Sequence, residues 1–288
     1  MPGIDNFIPA VWSARILQNL FKAQVYGSVA NRDYEGEIKE FGDRVKINNI
    51  GAITVGTYAK NTDMSAAETL TGAQRELVID QSKYFNFQID NIDAAQQKPK
   101  VMSEAMREAA YALADVSDTY IAGLYTGAAS ANFIGSDTTP IEFSGAADAY
   151  EKLVDISVKL DEANVPKIGR WVIIPAWYHG VLRKDSRFVQ AGTDAQNNIL
   201  FNGLVGRAAG LDIYVSNNVP NAAGEKWKIQ AGYAGTLSFA EQIAEVEAYK
   251  PEKRFANAVK GLHLYGAKLV RPNTMVVLVA NRTFAVPE

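Results

Sequence analysis

The sequence contains no cysteine. Disulfides, thiolate nucleophiles and Cys-ligated zinc are therefore excluded. Histidine is nearly as scarce. The two present, His179 and His263, stand 84 positions apart, and neither belongs to a metal-ligand spacing such as HExxH. His179 in AWYHGVL and His263 beside Tyr265 are read as packing or capping residues. The glycines at 203, 206 and 210 do not match GxGxxG, and neither a GxxxxGK[ST] loop nor a GxSxG elbow occurs. There is no basic excess: Lys plus Arg is 29, Asp plus Glu is 32, and the net charge is −3. A protein that lives by gripping phosphates usually shows such an excess or a basic run. No apolar run reaches the roughly eighteen residues that a membrane-crossing helix needs. The first residues lack a basic start followed by an apolar core, so no secretory signal is expected. No carboxylate is marked by its neighbours as half of a catalytic pair. These absences lead to the expectation of a non-enzyme without cofactor, catalytic residue or metal, whose work is binding itself.

What is present is ordinary globular material. The chain has 288 residues, 48% hydrophobic and 21% charged, enough for two domains or one elaborate one. Its organising stretch runs from Pro99 to Gly127. Val101, Met102, Ala105, Met106, Ala109, Leu113, Val116, Tyr120, Ile121 and Leu124 recur at spacings of three and four, which predicts one long helix. Glu104, Arg107, Glu108, Asp115 and Asp118 fall mostly elsewhere on the wheel. At about 1.5 Å per residue the helix would be roughly 40 Å long, well beyond the usual length.

Ahead of it, Pro9 to Tyr26 places Val11, Trp12, Ile16, Leu20 and Val25 at near-helical spacing. Such an arm must dock on its own body or on a neighbour, and the pattern leaves both open. From Asp43 to Asp90 two alternating runs are read as strands, one through Val45, Ile47, Ile53 and Val55, the other through Phe85, Phe87 and Ile89. The polar residues 59–75 between them predict either a long ribbon with an extended tip or a hairpin inside one sheet. After the long helix comes a turn-rich connector. A helix over Asp148 to Asn164 follows, then the apolar run Trp171 to Ile174, typical of a strand buried on both faces. Pro175 opens another helix, and Asp185 to Asn202 is read as a polar loop. Short strands are expected at Ile213 to Ser216, WKIQAGY, TLSFA, IAEVEAY, GLHLYGAKLVRP and Met275 to Ala280.

The order of parts resembles the major capsid proteins of tailed bacteriophages, the Hong Kong 97-type fold. Phrases carrying the resemblance are IPAVWSARILQNL, NRDYEGEI, RVKINNIGAITVGTY, GRWVIIPAWYHGVL, the Gly210 to Pro220 stretch and YGAKLVRP. It implies an α+β protein with an N-terminal arm (1–41) and an extended β-hairpin loop (42–92). A peripheral domain (93–147 and 240–272) would hold the spine helix 99–127, and an α/β apical domain would span 148–239 and 273–288. The function implied is self-assembly, through hexamers and pentamers, into an icosahedral shell enclosing double-stranded DNA in the virion, with no sequence-specific DNA contact. Encapsulin shells share this fold, so a nanocompartment is the alternative. Arm and loop would touch neighbouring subunits through Trp12, Ile16, Leu20, Lys60, Asn61 and Met64. Some family shells carry Lys–Asn crosslinks, and Lys60 and Asn61 lie near the loop tip, although a Lys there is ordinarily just solvated. The arm begins within the first ten residues, which implies a separate scaffolding protein or none. Portal and decoration proteins are further implied partners.

Overall fold

A computed structural model describes residues 24–34, 44–50, 57, 60, 63, 72–90, 101–143, 146–185, 204–252 and 256–284. Two sheets and one long helix make the body. The larger sheet has seven strands: β4 (Phe133–Ile134), β5 (Ile141–Phe143), β6 (Arg170–Ile174), β7 (Leu204–Ala208), β8 (Leu211–Val215), β9 (Trp227–Tyr233) and β12 (Val276–Phe284). Their order is β4-β12-β9-β6-β8-β7, with β5 also pairing β12. The smaller sheet is antiparallel, in the order β10 (Leu237–Tyr249), β11 (Ala256–Leu269) and β3 (Gln81–Asp90). A separate ribbon pairs β1 (Arg44–Ile50) with β2 (Gly72–Val78).

The seven-stranded sheet is covered on both faces, which explains its unbroken apolar runs. Successive side chains of β6 alternate between two cores. Val172 and Ile174 join Leu153, Ile156 and Leu160 of α3 (Ala146–Glu162) and Val181 and Leu182 of α4 (Ala176–Leu182). Trp171 and Ile173 face Ile121 and Ala122 at the end of the long helix α2 (Val101–Ala122), together with Tyr26, Phe239 and Tyr265. In β12, Val276 and Leu278 likewise belong to the first core and Val277 to the second. Gln230 Nε2 donates to the Ala122 carbonyl at 2.7 Å, supplying a partner to a helix C-terminal acceptor. Asn218, in the turn after β8, donates to Asp115 at 2.8 Å.

The smaller sheet carries α2 on one face, through Met106, Ala110, Val246 and Val259 with Phe85 and Phe87. Its other face meets the ribbon through Val45, Ile47, Leu77, Ile79, Ala240 and Leu264. Two glycines of β11 permit these approaches. A Cβ at Gly266 would fall 2.2 Å from the Val78 carbonyl oxygen, and one at Gly261 would fall 2.4 Å from the Phe85 ring.

Several expectations change. The 81–90 strand does not pair with β1; it is an edge strand of the smaller sheet, and the partner of β1 is 72–78. That strand buries only Leu77 among its described side chains, so no two-residue alternation marks it. The alternation of Phe85 and Phe87 reports the α2 face of a sheet, not a free ribbon. TLSFA and IAEVEAY form one strand, β10, with a bulge between Ile243 and Glu245. The expected change of domain at 239/240 therefore falls inside a continuous strand. The long helix gives way after Ala122 to a 3₁₀ turn, Gly123–Gly127. Val116, assigned to the apolar stripe, is 42% exposed, while Ser117 and Asp118 are buried.

Candidate functional site

The most distinctive polar chemistry lies where the chain first enters the described body. Helix α1 (Tyr26–Val29) is one turn long, and its leading amides have no intrahelical acceptor. Asp118 of α2 supplies one. Its carboxylate accepts from the backbone amides of Val25 (2.6 Å), Tyr26 (3.2 Å) and Gly27 (3.1 Å). The preceding side chain is clamped too: Gln24 Nε2 donates to Ser117 Oγ at 2.9 Å and to Glu241 Oε2 at 2.8 Å.

Arg32 closes the loop. Its guanidinium pairs with Glu241 at 2.8 Å, donates to the Gly27 carbonyl at 3.0 Å and reaches the Gln24 amide oxygen. It also lies 5.0 Å from the centre of the Phe239 ring. Asn31 then joins the edge of β10 by two backbone hydrogen bonds of 2.9 Å, to Leu237 and from Phe239. Gly27 gives this cluster room, since a Cβ would fall 2.6 Å from Gln24 Oε1 and 2.9 Å from Arg32 Nη2 and would displace those side-chain ends. His263 of β11 completes the cluster, with Nε2 at 3.2 Å from Glu241.

Gln24, Ser117, Asp118, Glu241 and His263 are all buried, so two carboxylates share a buried site. Their environments differ. Burial pushes Asp118 up to about 6, and the charge of Glu241 adds to this while the three backbone donors oppose it. Burial acts on Glu241 in the same upward sense. The His263 hydrogen bond, the Arg32 charge and the Gln24 hydrogen bond outweigh it and hold Glu241 below the usual carboxylate range. The Tyr26 hydroxyl is pushed well up by burial and by Asp118. The arrangement is a clasp: it binds residues 24–33 to α2 and β10. Among the described residues no group of three or more His, Asp or Glu is placed to hold a metal ion.

Of the expected contact residues only Lys60 is among the described residues, and it is not part of the clasp. Lys60 is exposed in a turn. Trp12, Ile16, Leu20, Asn61 and Met64 lie outside the described residues. Asp118 is read as lying off the apolar stripe, although its spacing carries a signal of burial. It stands four positions after Ala114 and three before Ile121, both on the buried stripe, and an acid there is a buried acid. Its partners were not legible, being 91–93 positions away.

Comparison with known proteins decides the family. The family model described as phage capsid protein matches residues 52–278. The chain belongs to the phage capsid protein family. A chain of Mycobacterium phage Che8 superimposes on this capsid protein with a TM-score of 0.69 and 29% identity, over 91% of this chain and 92% of that one. The capsid structure of cyanophage P-SCSP1u gives 0.67 at 16% identity, over 92% and 89%. An encapsulin complex from Synechococcus elongatus gives 0.58 at 10% identity, over 87% of each chain, a likeness of fold. No curated protein sequence matches. The fold is thus the mixed helix-and-sheet fold of Hong Kong 97-type capsids. Within this capsid protein the clasp is formed by the first described residues, from Gln24 on.

Proposed function

We propose that this chain is the major capsid subunit of a tailed bacteriophage. It assembles with itself, as hexamers and pentamers, into an icosahedral virion shell enclosing double-stranded DNA. Assembly takes place in the host cytoplasm, and a separate scaffolding protein, a portal and a decoration protein are the further partners proposed. The observation that carries the reading is the capsid family match over residues 52–278. The clasp supports it. A short segment held to α2 and β10 by seven hydrogen bonds and an ion pair is a firm root for an arm that lies on neighbours. Many modest contacts made by such arms sum to a stable closed shell.

In this reading the spine is α2 and the peripheral part is α2 with β3, β10 and β11. The apical part is the seven-stranded sheet with α3 and α4, and the ribbon β1–β2 is the root of the extended loop. A net charge of −3 is compatible with a lining that holds DNA without gripping it. A compartment shell has less support, 10% identity against 29%. Electron microscopy of material assembled in cells is the test. Closed shells filled with nucleic acid are expected. Shells filled with protein cargo instead would favour the compartment, and a monomer that persists at high concentration with scaffold present would overturn both.

A further inference from the structure

Two segments are joined to the same block of the protein. Residues 24–33 are tied to it by the clasp, and the ribbon β1–β2 by the corner Val78–Asp80 that leads into β3. One row of the smaller sheet runs between the two attachments. Glu241 of β10 stands opposite Tyr265 of β11, and Tyr265 stands opposite Gln81 of β3, the neighbour of Asp80. α2 serves both segments as well. Asp118 holds the amides of Val25, Tyr26 and Gly27, and two positions on, Tyr120 donates its hydroxyl to Asp80 at 3.1 Å. Residues two apart on a helix point to different sides, so one turn of α2 can grip two segments. Residues two apart on a strand share a face, and β11 sets His263 against Glu241 and Tyr265 against Tyr120.

Rings fill the space between. Tyr265 lies 5.1 Å from His263, 6.4 Å from Phe239 and 5.6 Å from Tyr120, which it meets edge-on at 75°. Arg32 covers Phe239, and Tyr26 and Val29 belong to the same buried cluster as Phe239 and Tyr265. Burial, and after it the charge of Asp80, pushes the hydroxyls of Tyr120 and Tyr265 up to about 12. The field of Asp80 thus reaches the ring that leans on the clasp.

We propose that residues 24–33 and the Val78–Asp80 corner open and close as one cooperative unit, joined through Tyr120 and Tyr265. When 24–33 lifts away, Arg32 and Gln24 leave Glu241, and that buried carboxylate keeps the His263 contact. Arg32 also uncovers Phe239, while Tyr26 and Val29 vacate the cluster that holds Tyr265. A close-packed core answers such a loss by a discrete rearrangement, not by stretching. Tyr265 then shifts, and Tyr120 loses the ring that aims its hydroxyl at Asp80. The reverse also holds, because a coupling free energy acts equally in both directions. In the shell reading above, on which this consequence rests, seating either segment stiffens the root of the other. The coupling itself belongs to the single folded chain.

The test is hydrogen exchange of the unassembled full-length subunit, followed by mass spectrometry. Peptides spanning 24–33 and 74–82 report the two segments, and 146–162 in α3 reports global opening. Arg32→Ala removes the ion pair to Glu241 and the contact over Phe239. It is expected to speed exchange about tenfold in 24–33 and at least about threefold in 74–82, with 146–162 unchanged. Asp80→Ala is expected to speed exchange in 24–33 at least about threefold. In a Tyr120→Ala background, Arg32→Ala should still act on 24–33 and no longer add to exchange in 74–82. A response to Arg32→Ala confined to 24–33, an undiminished response of 74–82 in the Tyr120→Ala background, or an equal rise in 146–162 would each overturn the coupling. The measurement needs no shell, so a negative result here is distinct from a failure of the shell reading, which electron microscopy decides.

Discussion

The two sheets of this capsid protein are finished in different ways. The seven-stranded sheet buries both faces against its own chain, α3 and α4 on one side and α2 with Tyr26 and Phe239 on the other. The three-stranded sheet has one covered face and one half-covered face, and its firmest attachment to the arm is the polar clasp. The difference separates two tasks. An element closed on itself stabilises the subunit, while an element left open makes contacts available to others. Apolar side chains in the first are buried or half-buried, whereas Tyr84 in the second stands 80% exposed.

Substitutions should sort along that division. The largest loss of subunit stability is expected in the closed sheet. Leu278→Ala removes a fully buried side chain between α3 and β12 and should cost about 3 kcal/mol, read as a lower urea midpoint. Its assembly defect should follow from that instability alone.

The clasp comes next. Asp118→Ala leaves the amides of Val25, Tyr26 and Gly27 without their acceptor and should cost about 2 kcal/mol. More telling is where the loss appears. Limited proteolysis should cut the variant first within residues 24–33, with the rest of the fold intact. Simultaneous cutting throughout would instead place Asp118 in the global core.

The pH response of the clasp is smaller. Folding raises Asp118 to about 6, so the folded chain takes up a proton that the unfolded chain takes up only at lower pH. Its contribution therefore strengthens as pH falls through 6 and weakens above it. Glu241, held low, acts in the opposite sense: its contribution is present above the ordinary carboxylate range and fades at more acid pH. The two are separated by comparing the parent with Asp118→Asn. Between pH 7 and pH 5 the parent should gain about 1 kcal/mol relative to the variant, measured from urea midpoints. A parallel response of the two proteins would show that Asp118 is ionised throughout.

The smallest effect on stability is expected at the open face. Tyr84→Ser should change the subunit by less than about 0.5 kcal/mol while impairing assembly. Equal loss of stability and assembly would erase the distinction between the two sheets.

The sequence by itself determined the elements whose burial is periodic. Trp171 to Ile174 stands as an apolar run because alternate side chains enter two different cores. The long helix is visible because Met106, Leu113 and Ile121 recur on one side. Burial of this kind is written locally, in the spacing of side chains along one element. Tertiary structure alone decided the pairings. Nothing in GAQRELV announces a strand, and only its register with residues 44–50 makes it one. Phe85 and Phe87 alternate equally well in a ribbon or in a sheet under a helix; the contact with α2 chooses. Gln24 meets Ser117 and Glu241 across 93 and 217 positions, and such polar contacts leave no period in the chain. They form because the fold brings donors and acceptors together in a buried site, where an unpaired polar group is costly.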